Sequence, residues 1–343
     1  MKKATMLGIL SLMFCFNAYG TKARVESLQG ATHLVDTQSI FTYTADMHQL
    51  GQYMALEFGP TADGITEPKA EGALFRKASN GALYGVYLGH HDETLAAIRA
   101  NQGFDDQSNP VQGFYGRDHW AVTLGLSNSE DKNADTKETT VSLGYGQNFS
   151  DYSWGVNGQL MSQAEQGDDE FKGGPMVNAN FRQHGKTYWH GALSYGMMSS
   201  EVGGVDTDIK PMGVAVGWVD RTLGSETTDL YYGLALEYAD ITFEDDHLKA
   251  MSLPVSAGLE HPLNSWAVFR ASISQNVLLG STKDETAGAG SDEEQSIENN
   301  TTVAAGLGLK YGGITLDGTL TGATTGNING NSILARAGMI YNF

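Results

Sequence analysis

The densest group of residue types that could perform chemistry is an acidic run beside a histidine, Glu244-Asp245-Asp246-His247. A carboxylate next to an imidazole could activate a water molecule for hydrolysis. No second cluster is placed to face this one, and similar acidic runs occur at Asp168-Asp169 and Asp292-Glu293-Glu294. The sequence contains no serine–histidine elbow and no histidines at metal-ligand spacing. We therefore interpret the run as a hydrated loop, and predict no enzyme activity, cofactor or metal site.

The first twenty residues have the form of a secretory signal peptide. Two lysines precede an apolar run from Met6 to Phe16, and Ala18 and Gly20 stand at positions −3 and −1 of a cleavage site. The single cysteine, Cys15, leaves with this segment, which suits export into an oxidising compartment. Removing two lysines and no acid moves the net charge from −19 to −21. Nucleic acid is therefore excluded as a partner, because phosphate binding needs a basic surface.

The chain after the signal peptide must then supply the function, and one pattern of alternating side chains recurs along it. The last eleven residues, Ile333 to Phe343, alternate apolar and mixed side chains with a period of two, which predicts a β-strand. Eleven earlier segments repeat the pattern from Trp120 onwards. Their opposite face carries small or polar residues, namely Gly144, Gly146, Asn157, Gln159, Asn178, Asn180, Ser272, Ser274, Thr315 and Thr319. An apolar outside with a small, polar inside predicts a barrel that faces lipid.

Short and long connections alternate between these segments. The short ones include 149–151, 184–186, 262–264 and 312–313. The longer, mostly acidic ones include 127–137, 162–173, 199–208, 242–247 and 280–300. Outer-membrane barrels have short periplasmic turns and long external loops. We therefore predict a periplasmic C-terminus and extracellular acidic loops, with 220–229 longer than a periplasmic turn should be.

A hairpin is predicted before these twelve strands, where Glu71–Lys77 and Ala82–Gly89 flank the turn residues Asn80-Gly81. The count becomes about fourteen, in a range of twelve to sixteen, and an even number suits a bacterial barrel. Gln52 to Phe58 would break that parity, so we assign it to the N-terminal segment. Asp92 to Gly103 is predicted to form a short helix in the connection 90–117. The predicted organisation is a signal peptide at 1–20, a plug-like or periplasmic segment at 21–70, and an antiparallel up-and-down transmembrane β-barrel at 71–343.

The C-terminus, with Tyr341 two positions before Phe343, resembles the closing strand of bacterial outer-membrane β-barrels of the porin-like kind. In that family the terminal aromatic residue is part of the signal read by the barrel assembly machinery. The resemblance implies that machinery, outer-membrane lipids and lipopolysaccharide as partners, and allows a homo-oligomer such as a trimer.

A second, shorter resemblance concerns residues 21–51. This segment resembles the N-terminal plug of the long-chain fatty acid outer-membrane transporter class at Gly30-Ala31, Asp36, Ala45 and Leu50. Tyr43-Thr44 stand where that class has Asn-Pro, so the match covers only part of the motif.

Nine ionisable residues face the inside of the predicted barrel by alternation. They are His119, Arg182, His190, Glu237, Glu260, Arg270, Lys310, Asp317 and Arg336. They either line a pore and set its polarity, or form salt bridges that rigidify the wall. Four of them (Arg182, Glu260, Arg270 and Lys310) lie near the short turns, at a mouth of the barrel. No arginine ladder faces an acidic loop, so no charge selectivity is predicted.

The first functional hypothesis is an outer-membrane channel for passive diffusion of small hydrophilic solutes, based on polar, glycine-rich inner positions. The second is an outer-membrane transporter of hydrophobic compounds, implied by the N-terminal resemblance. A structural or surface barrel without transport is the third, and a hydrolase at the barrel rim is the fourth.

Overall fold

The computed structural model describes residues 21–59, 69–244, 246–277, 281–285, 293–296, 301–323 and 334–343. The predicted signal peptide, Asp245 of the acidic run, Ile333 and most of the predicted loop 280–300 lie outside these residues. Within the described ranges, no helix is long and apolar enough to cross a membrane.

The described residues form nineteen strand segments of one antiparallel sheet. Three long strands are each interrupted once, so these segments make up sixteen barrel strands. In chain order they are β1 Tyr53–Gly59, β2 Lys69–Lys77, β3 Leu83–Leu88, β4 Val111–Arg117, β5 Trp120–Asp131, β6 Thr136–Asn148, β7 Tyr152–Gln166, β8 Asp169–Gln183, β9 Thr187–Val202, β10 Val205–Asp220, β11 Asp229–Phe243, β12 Asp246–Ser252 with Pro254–Pro262, β13 Ala267–Asn276 with Ser281–Glu285, β14 Glu293–Ser296 with Thr301–Tyr311, β15 Ile314–Ala323 and β16 Leu334–Asn342.

The sheet closes into a barrel because its first strand pairs with its last. Met54 of β1 lies opposite Leu74 of β2 on one side and opposite Tyr341 of β16 on the other. The strands between them pair with their sequence neighbours in antiparallel orientation. The predicted all-β, up-and-down barrel is therefore confirmed.

The predicted count of fourteen strands is wrong, because β1 and β4 also belong to the barrel. β1 is the piece Gln52 to Phe58 that the sequence analysis assigns to the N-terminal segment. Its lumenal face carries Glu57, so its charge pattern does not mark it as a wall strand. β4 has Gly113 in the middle of its outer face and Phe114 on its inner face, which removes the apolar alternation. With these two strands the barrel has sixteen strands, which is again an even number.

The outer face of the barrel is apolar over its whole circumference. Leu124, Leu160 and Leu193 point outward from β5, β7 and β9 and are about half exposed, at 48%, 53% and 53%. Exposed aromatic residues form a girdle near one end of the barrel, namely Tyr115, Tyr152, Phe181, Trp189, Trp266, Phe269, Tyr311, Tyr341 and Phe343. An apolar band with an aromatic girdle is the surface that a lipid bilayer requires.

The two ends of the barrel differ. At the end where β1 begins and β16 ends, which we call the turn end, the connections are short apart from 221–228. At the opposite loop end, three of the predicted long acidic loops are instead mostly strand. The connections 132–135, 167–168 and 203–204 are tight turns between strands of 12 to 16 residues. The outer face of these strand ends is polar, as at Lys172 and Lys210, so the strands continue beyond the part whose outer face is apolar.

Residues 21–52, which we call the N-terminal segment, lie inside the turn end of the barrel. They contain helix α1 (Lys22–Ser27), two 3-10 turns (Ser39–Phe41 and Thr44–Asp46) and helix α2 (Met47–Leu50). The Thr21 hydroxyl accepts a hydrogen bond from the Arg24 backbone N–H at 3.0 Å and so caps α1. Gly51, at φ +74°, ends α2 and turns the chain into β1.

The long connection between β3 and β4 carries helix α3 (Glu93–Gln102) at the loop end. The Asp92 carboxylate accepts a hydrogen bond from the Leu95 backbone N–H at 3.0 Å, and Gly103 is left-handed at φ +91°. The helix predicted from Asp92 to Gly103 is therefore confirmed.

Candidate functional site in the barrel lumen

The N-terminal segment contacts the inner wall at every strand of the described barrel. The wall residues that it meets, from β1 to β16, are Glu57, Glu71, Tyr87, Phe114, Trp120, Asn148, Asn157, Arg182, Tyr188, Val219, Tyr231, Glu260, Ser272, Gly306, Asp317 and Arg336. The segment therefore covers the turn end of the lumen around its full circumference.

The most buried of these attachments is the ion pair between Arg182 and Asp46. Arg182 Nη2 lies 2.7 Å from both carboxylate oxygens of Asp46, and the two side chains are 2% and 0% exposed. Arg182 Nη1 donates to the Leu34 carbonyl at 3.1 Å, and its guanidinium lies 4.4 Å from the centre of the Tyr43 ring. This arginine therefore binds three separate parts of the N-terminal segment.

A second ionic network fixes helix α1. Arg24 Nε donates to Glu260 at 2.9 Å, and Arg270 Nε donates to the same carboxylate at 2.6 Å. Arg270 Nη1 also donates to Asp317 at 2.6 Å, and Asp317 accepts from the Thr21 hydroxyl at 3.0 Å. The four charges form a chain from α1 into the wall, in the order Arg24, Glu260, Arg270 and Asp317, so each charge has an opposite charge beside it.

Three further carboxylates, on the β1, β2 and β16 side of the barrel, also join the segment to the wall. Glu57 accepts from the Lys22 backbone N–H at 3.0 Å and from the Thr37 hydroxyl at 3.1 Å. The Lys22 ammonium pairs with Glu71. The Glu26 carboxylate pairs with Arg336 of β16.

Two carboxyl groups of the N-terminal segment have strongly altered acidity. Burial raises the pKa of Glu26 to about 7, against the lowering effect of the nearby Arg336. Burial also raises the pKa of Asp36 to about 7, against the lowering effects of Arg24 and of backbone N–H groups. Both groups therefore change charge near neutral pH.

Helix α3 packs into the loop end of the lumen. Leu95 and Ile98 join an apolar cluster with inward residues of β7 to β12, namely Ala164, Phe171, Met176, Met198, Ile209, Ala239, Ile241, Phe243, Leu248 and Ala250. Arg99 is buried below the helix and donates to Thr140 at 3.1 Å and to Ser162 at 2.7 Å. The helix therefore narrows the lumen from the loop side, and its own side chains fill the apolar part.

A cavity of about 710 Å³ lies between the N-terminal segment and helix α3. Its lining combines apolar residues with amide, hydroxyl and imidazole side chains, including Gln29, His33, His90, Gln112, Thr123, Asn157, Gln159, Asn178, His190, Ser194, Ser256 and Ser274. Burial lowers the pKa of His33 and of His90, so both imidazoles are held in the neutral form. The centre of the lumen thus presents many neutral hydrogen-bonding groups beside apolar ones.

The nine ionisable residues predicted to face the lumen fall into three groups. His190, Glu237 and Arg336 line the cavity. Arg182, Glu260 and Asp317 bind the N-terminal segment, as does Arg336, and Arg270 bridges Glu260 and Asp317 within the wall. His119 and Lys310 are exposed at the turn end and do not line the cavity, because each lies where its strand meets a tight turn.

Sequence reasoning missed several residues of the site. Gln112 lies on β4, which carries no clear alternation, so its lumenal position was not visible. Arg24 and Asp46 could not be recognised as partners of wall residues, because contacts over 236 and 136 positions leave no local pattern. Glu57 was missed because β1 was not recognised as a wall strand. The one signal present was the alternation that placed Asn157, Gln159, Asn178 and Asn180 on the inner face, where the structure also has them.

The acidic run at 244–247 lies at the loop end. Glu244 accepts a hydrogen bond from the Asp208 backbone N–H at 2.7 Å, which stabilises the turn between β11 and β12. His247 Nδ1 lies 3.2 Å from Asp240 on the neighbouring strand. Among the described residues, no group of three or more histidine, cysteine, aspartate or glutamate side chains is arranged to hold a metal ion.

A closed barrel of sixteen described antiparallel strands with an apolar exterior has the architecture of a transmembrane β-barrel. No protein-family model and no curated protein matches the chain. Among solved structures, the chain is similar to OmpT, an outer membrane protein of Vibrio cholerae, in its trimer form. That match has 11% identity and a TM-score of 0.44, and covers 85% of this chain and 98% of that chain.

Two further solved structures are similar at the same level. CdiB from Acinetobacter baumannii matches with 9% identity and a TM-score of 0.46, over 85% of this chain and 60% of that chain. An anion-selective porin from Comamonas acidovorans matches with 10% identity and a TM-score of 0.39, over 85% of this chain and 97% of that chain. Likeness this distant says nothing about function, which has to follow from the geometry of this chain.

Proposed function

We propose that the protein is an outer-membrane channel for the passive diffusion of small hydrophilic solutes, in which the N-terminal segment acts as a plug. The observation that carries the proposal is the polar cavity of about 710 Å³ inside a barrel with an apolar exterior. An apolar surface in contact with lipid and a polar interior together give a solute a path that avoids the hydrocarbon region.

The geometry also supports a restricted channel rather than a wide one. The N-terminal segment spans the turn end, and helix α3 narrows the loop end. Apolar packing attaches the segment to the wall in two clusters, one around Ile40 and Met47 and one around Val25 and Leu34. The remaining attachments are ion pairs and hydrogen bonds, which can exchange with water more readily than a packed apolar core. Solutes therefore pass in small amounts through the docked state, and faster when the N-terminal segment loosens.

Swelling of proteoliposomes in isotonic solutions of neutral solutes of increasing size tests the proposal. We expect swelling with small solutes, a size cut-off, and faster swelling for a variant with a weakened plug. Heat-modifiable mobility on gels shows whether the barrel has folded. A folded wild-type barrel and a folded weakened variant that are both as tight as protein-free liposomes would contradict the proposal, and would favour a structural or surface barrel without transport.

The orientation and the partners are part of the same proposal. We place the turn end and the C-terminus in the periplasm and the loop end outside the cell, in contact with lipopolysaccharide. Tyr341 and Phe343 lie on the outer face of the seam between β16 and β1, with ring centres 5.9 Å apart, where the barrel assembly machinery could bind them. Protease digestion of loop-end and turn-end sites in intact cells tests the orientation, and native mass spectrometry tests a homo-oligomer such as a trimer.

The alternative function, transport of hydrophobic compounds, is favoured by one observation, the apolar cluster around helix α3. In the described residues that cluster is filled by Leu95, Ile98 and Phe104, so a hydrophobic ligand would have to displace them. Mass spectrometry of lipid extracted from purified protein tests this alternative. Recovery of stoichiometric fatty acid or hydrocarbon would favour it over the diffusion channel.

A further inference from the structure

Two rows of hydrogen-bonding side chains run side by side across the cavity wall. In the first, Thr123 of β5, Asn157 of β7, Asn178 of β8 and Ser194 of β9 follow one another in direct strand register, with Gly144 of β6 between the first two. In the second, Gln112 of β4 is followed by Gly125, Ser142 and Gln159 in the same manner. We call six of these residues the carboxamide belt: Gln112, Thr123, Asn157, Gln159, Asn178 and Ser194.

Two glycines shape the wall around this belt. A Cβ atom at Gly144 would lie 2.3 Å from Asn157 Oδ1, and one at Gly125 would lie 2.2 Å from Ser142 Oγ. A side chain at either position would therefore displace a belt residue or its neighbour. The glycines leave the polar groups of the belt room to face the cavity.

Part of the belt lacks hydrogen-bond partners. Among the described side chains, Gln112 Oε1, Thr123 Oγ1 and Gln159 Oε1 are buried without a partner, and Gln159 is only 7% exposed. Buried polar atoms without a protein partner are normally satisfied by water or by a ligand. A ligand hydroxyl both donates and accepts, so it can pair with a carboxamide whichever way the carboxamide is turned.

The charges around the cavity disfavour an ionic ligand. Its two cations, Lys22 and Arg336, are already paired with Glu71 and Glu26. The carboxylate of Asp92 is occupied in capping helix α3, and the carboxylate of Glu237 accepts a hydrogen bond from Ser252 at 3.1 Å. The cavity thus offers an anion no free counter-charge. Glu93 is exposed at its edge, and it is the group that a cation would use.

We infer that this cavity binds a small, neutral, polyhydroxylated molecule such as a monosaccharide, held by the carboxamide belt. Its volume of about 710 Å³ lies within the range of roughly 300–1,000 Å³ that is usual for small-molecule sites. The inference rests on the proposed function in that such a molecule would be the solute that passes through the barrel.

Saturation-transfer NMR on the detergent-solubilised wild-type protein tests the inference with three pyranose probes: neutral glucose, anionic glucuronate and cationic glucosamine. We expect transfer to glucose that exceeds transfer to both charged probes. Gln159→Leu and Asn178→Leu, which remove hydrogen-bonding groups at nearly constant volume, should each weaken glucose binding roughly five- to tenfold. Gln147→Leu is the matched control, because Gln147 lies on the outer face of β6 and bonds to Tyr145.

The outcomes separate the ligand from the channel. Equal transfer to all three probes, stronger transfer to a charged probe, or unchanged glucose binding in both belt variants would overturn the inference. Glucose binding without liposome swelling would overturn the proposed function and leave the binding site standing. Liposome swelling without a preference for glucose in the NMR experiment would overturn the binding site and leave the proposed function standing.

A separate observation concerns Thr21, which is fully buried beside two carboxylates. Its hydroxyl donates to Asp317, and the next backbone N–H, that of Lys22, donates to Glu57 at 3.0 Å. Adjacent backbone nitrogens are about 3–3.7 Å apart, so the Thr21 nitrogen lies within about 7 Å of the Glu57 carboxylate. Asp317 has Arg270 as its counter-charge, whereas Glu57 accepts hydrogen bonds from two neutral donors, the Lys22 backbone N–H and the Thr37 hydroxyl.

We propose that removal of the signal peptide creates the missing counter-charge. Hydrolysis of the Gly20–Thr21 peptide bond consumes one water molecule, leaves a carboxylate on Gly20, and leaves on Thr21 an amine that takes up a proton. The resulting ammonium group pairs with Glu57 and fixes the N-terminal segment to β1. The segment is therefore held more tightly in the mature protein than in its precursor.

A double-mutant cycle measured by hydrogen exchange of residues 22–35 tests this pairing. One change inserts an alanine between Gly20 and Thr21, which moves the new ammonium away, and the other is Glu57→Gln. Each should speed exchange about fivefold or more, and the two together should do little more than either alone. Glu71→Gln is the control, because Glu71 pairs with the Lys22 side chain, so its effect should add to that of the insertion. Additive effects with Glu57→Gln, or a mature N-terminus other than Thr21, would overturn the proposal.

Discussion

Replacing Arg182 with alanine should release the N-terminal segment from one side of the barrel. The guanidinium lies 2.7 Å from both oxygens of Asp46, and the two side chains are 2% and 0% exposed. Removing one partner of a buried ion pair leaves the other charge uncompensated, which costs about 3–5 kcal/mol. Because about 1.4 kcal/mol corresponds to a factor of ten, the undocked population should rise roughly 100- to 3,000-fold.

Hydrogen exchange followed by mass spectrometry measures that population directly. Exchange in residues 39–50 should accelerate by the same factor in Arg182→Ala, while the amides of the neighbouring strand β9 keep their wild-type rates. Lys210→Ala is the control, because Lys210 and Asp208 form an exposed pair with side chains 47% and 58% accessible. Such pairs contribute about 0–1 kcal/mol, so this variant should exchange like the wild type.

The double variant Arg182→Ala, Asp46→Ala removes both charges, and its exchange should be slower than that of Arg182→Ala alone. Wild-type exchange in residues 39–50 of a folded Arg182→Ala barrel would refute the reasoning. An equal acceleration in Lys210→Ala would also refute it, since the effect would then not come from the buried pair.

Three other perturbations address the remaining contacts of the lumen. Because burial raises the pKa of Glu26 and Asp36 to about 7, above their unfolded values of 4.5 and 3.8, the docked segment holds these protons more tightly than the undocked one. The contribution of these two carboxyls to docking is then largest below about pH 4 and is lost as pH rises through 7, whereas the lowered pKa of His33 acts in the opposite sense. The ratio of intrinsic-rate-corrected exchange of residues 22–38 at pH 8 to that at pH 5 should therefore be larger in the wild type than in Glu26→Gln with Asp36→Asn. In Gly155→Ala the new Cβ would lie 2.0 Å from the Thr42 carbonyl oxygen, so the barrel should fold with faster exchange at residues 39–46; Gly322→Ala, with no heavy atom within 4 Å, should match the wild type. Arg99→Met leaves Glu138 without the guanidinium 3.8 Å away and removes the bonds to Thr140 and Ser162, so proteolysis within residues 93–102 should become faster while the barrel keeps its resistance.

The barrel walls could be predicted from the sequence wherever one face had to meet lipid. Outward leucines such as Leu124 and Leu160 alternate with Gly125 and Gln159, and a period of two leaves little choice of structure. The same rule failed for β4, because Gly113 interrupts its outer face. It also failed at the loop ends of β7 to β10, because there the outer face is polar and the apolar residues, such as Phe171 and Ile209, point inward against helix α3.

The lumen could be predicted only in part. Alternation placed Arg182, Arg270 and Asp317 on the inner face, but it could not show that Arg182 meets Asp46 or that Arg270 meets Asp317. The first pair depends on how the N-terminal segment folds back across the barrel, and the second on the register of non-adjacent strands, and no local pattern encodes either. The helix at Asp92 to Gly103 was visible because its capping residues are local, whereas its packing against Phe171 and Ile209 was not.

The most direct test of the central claim is the conductance of single molecules in a planar lipid bilayer, measured for the wild type and for Arg182→Ala. A polar lumen restricted by the N-terminal segment predicts discrete steps for the wild type, and larger or more frequent steps for the variant. If neither protein raised the conductance above that of the lipid bilayer alone, although heat-modifiable mobility confirmed folded barrels, the claim that this barrel conducts hydrophilic solutes would be contradicted.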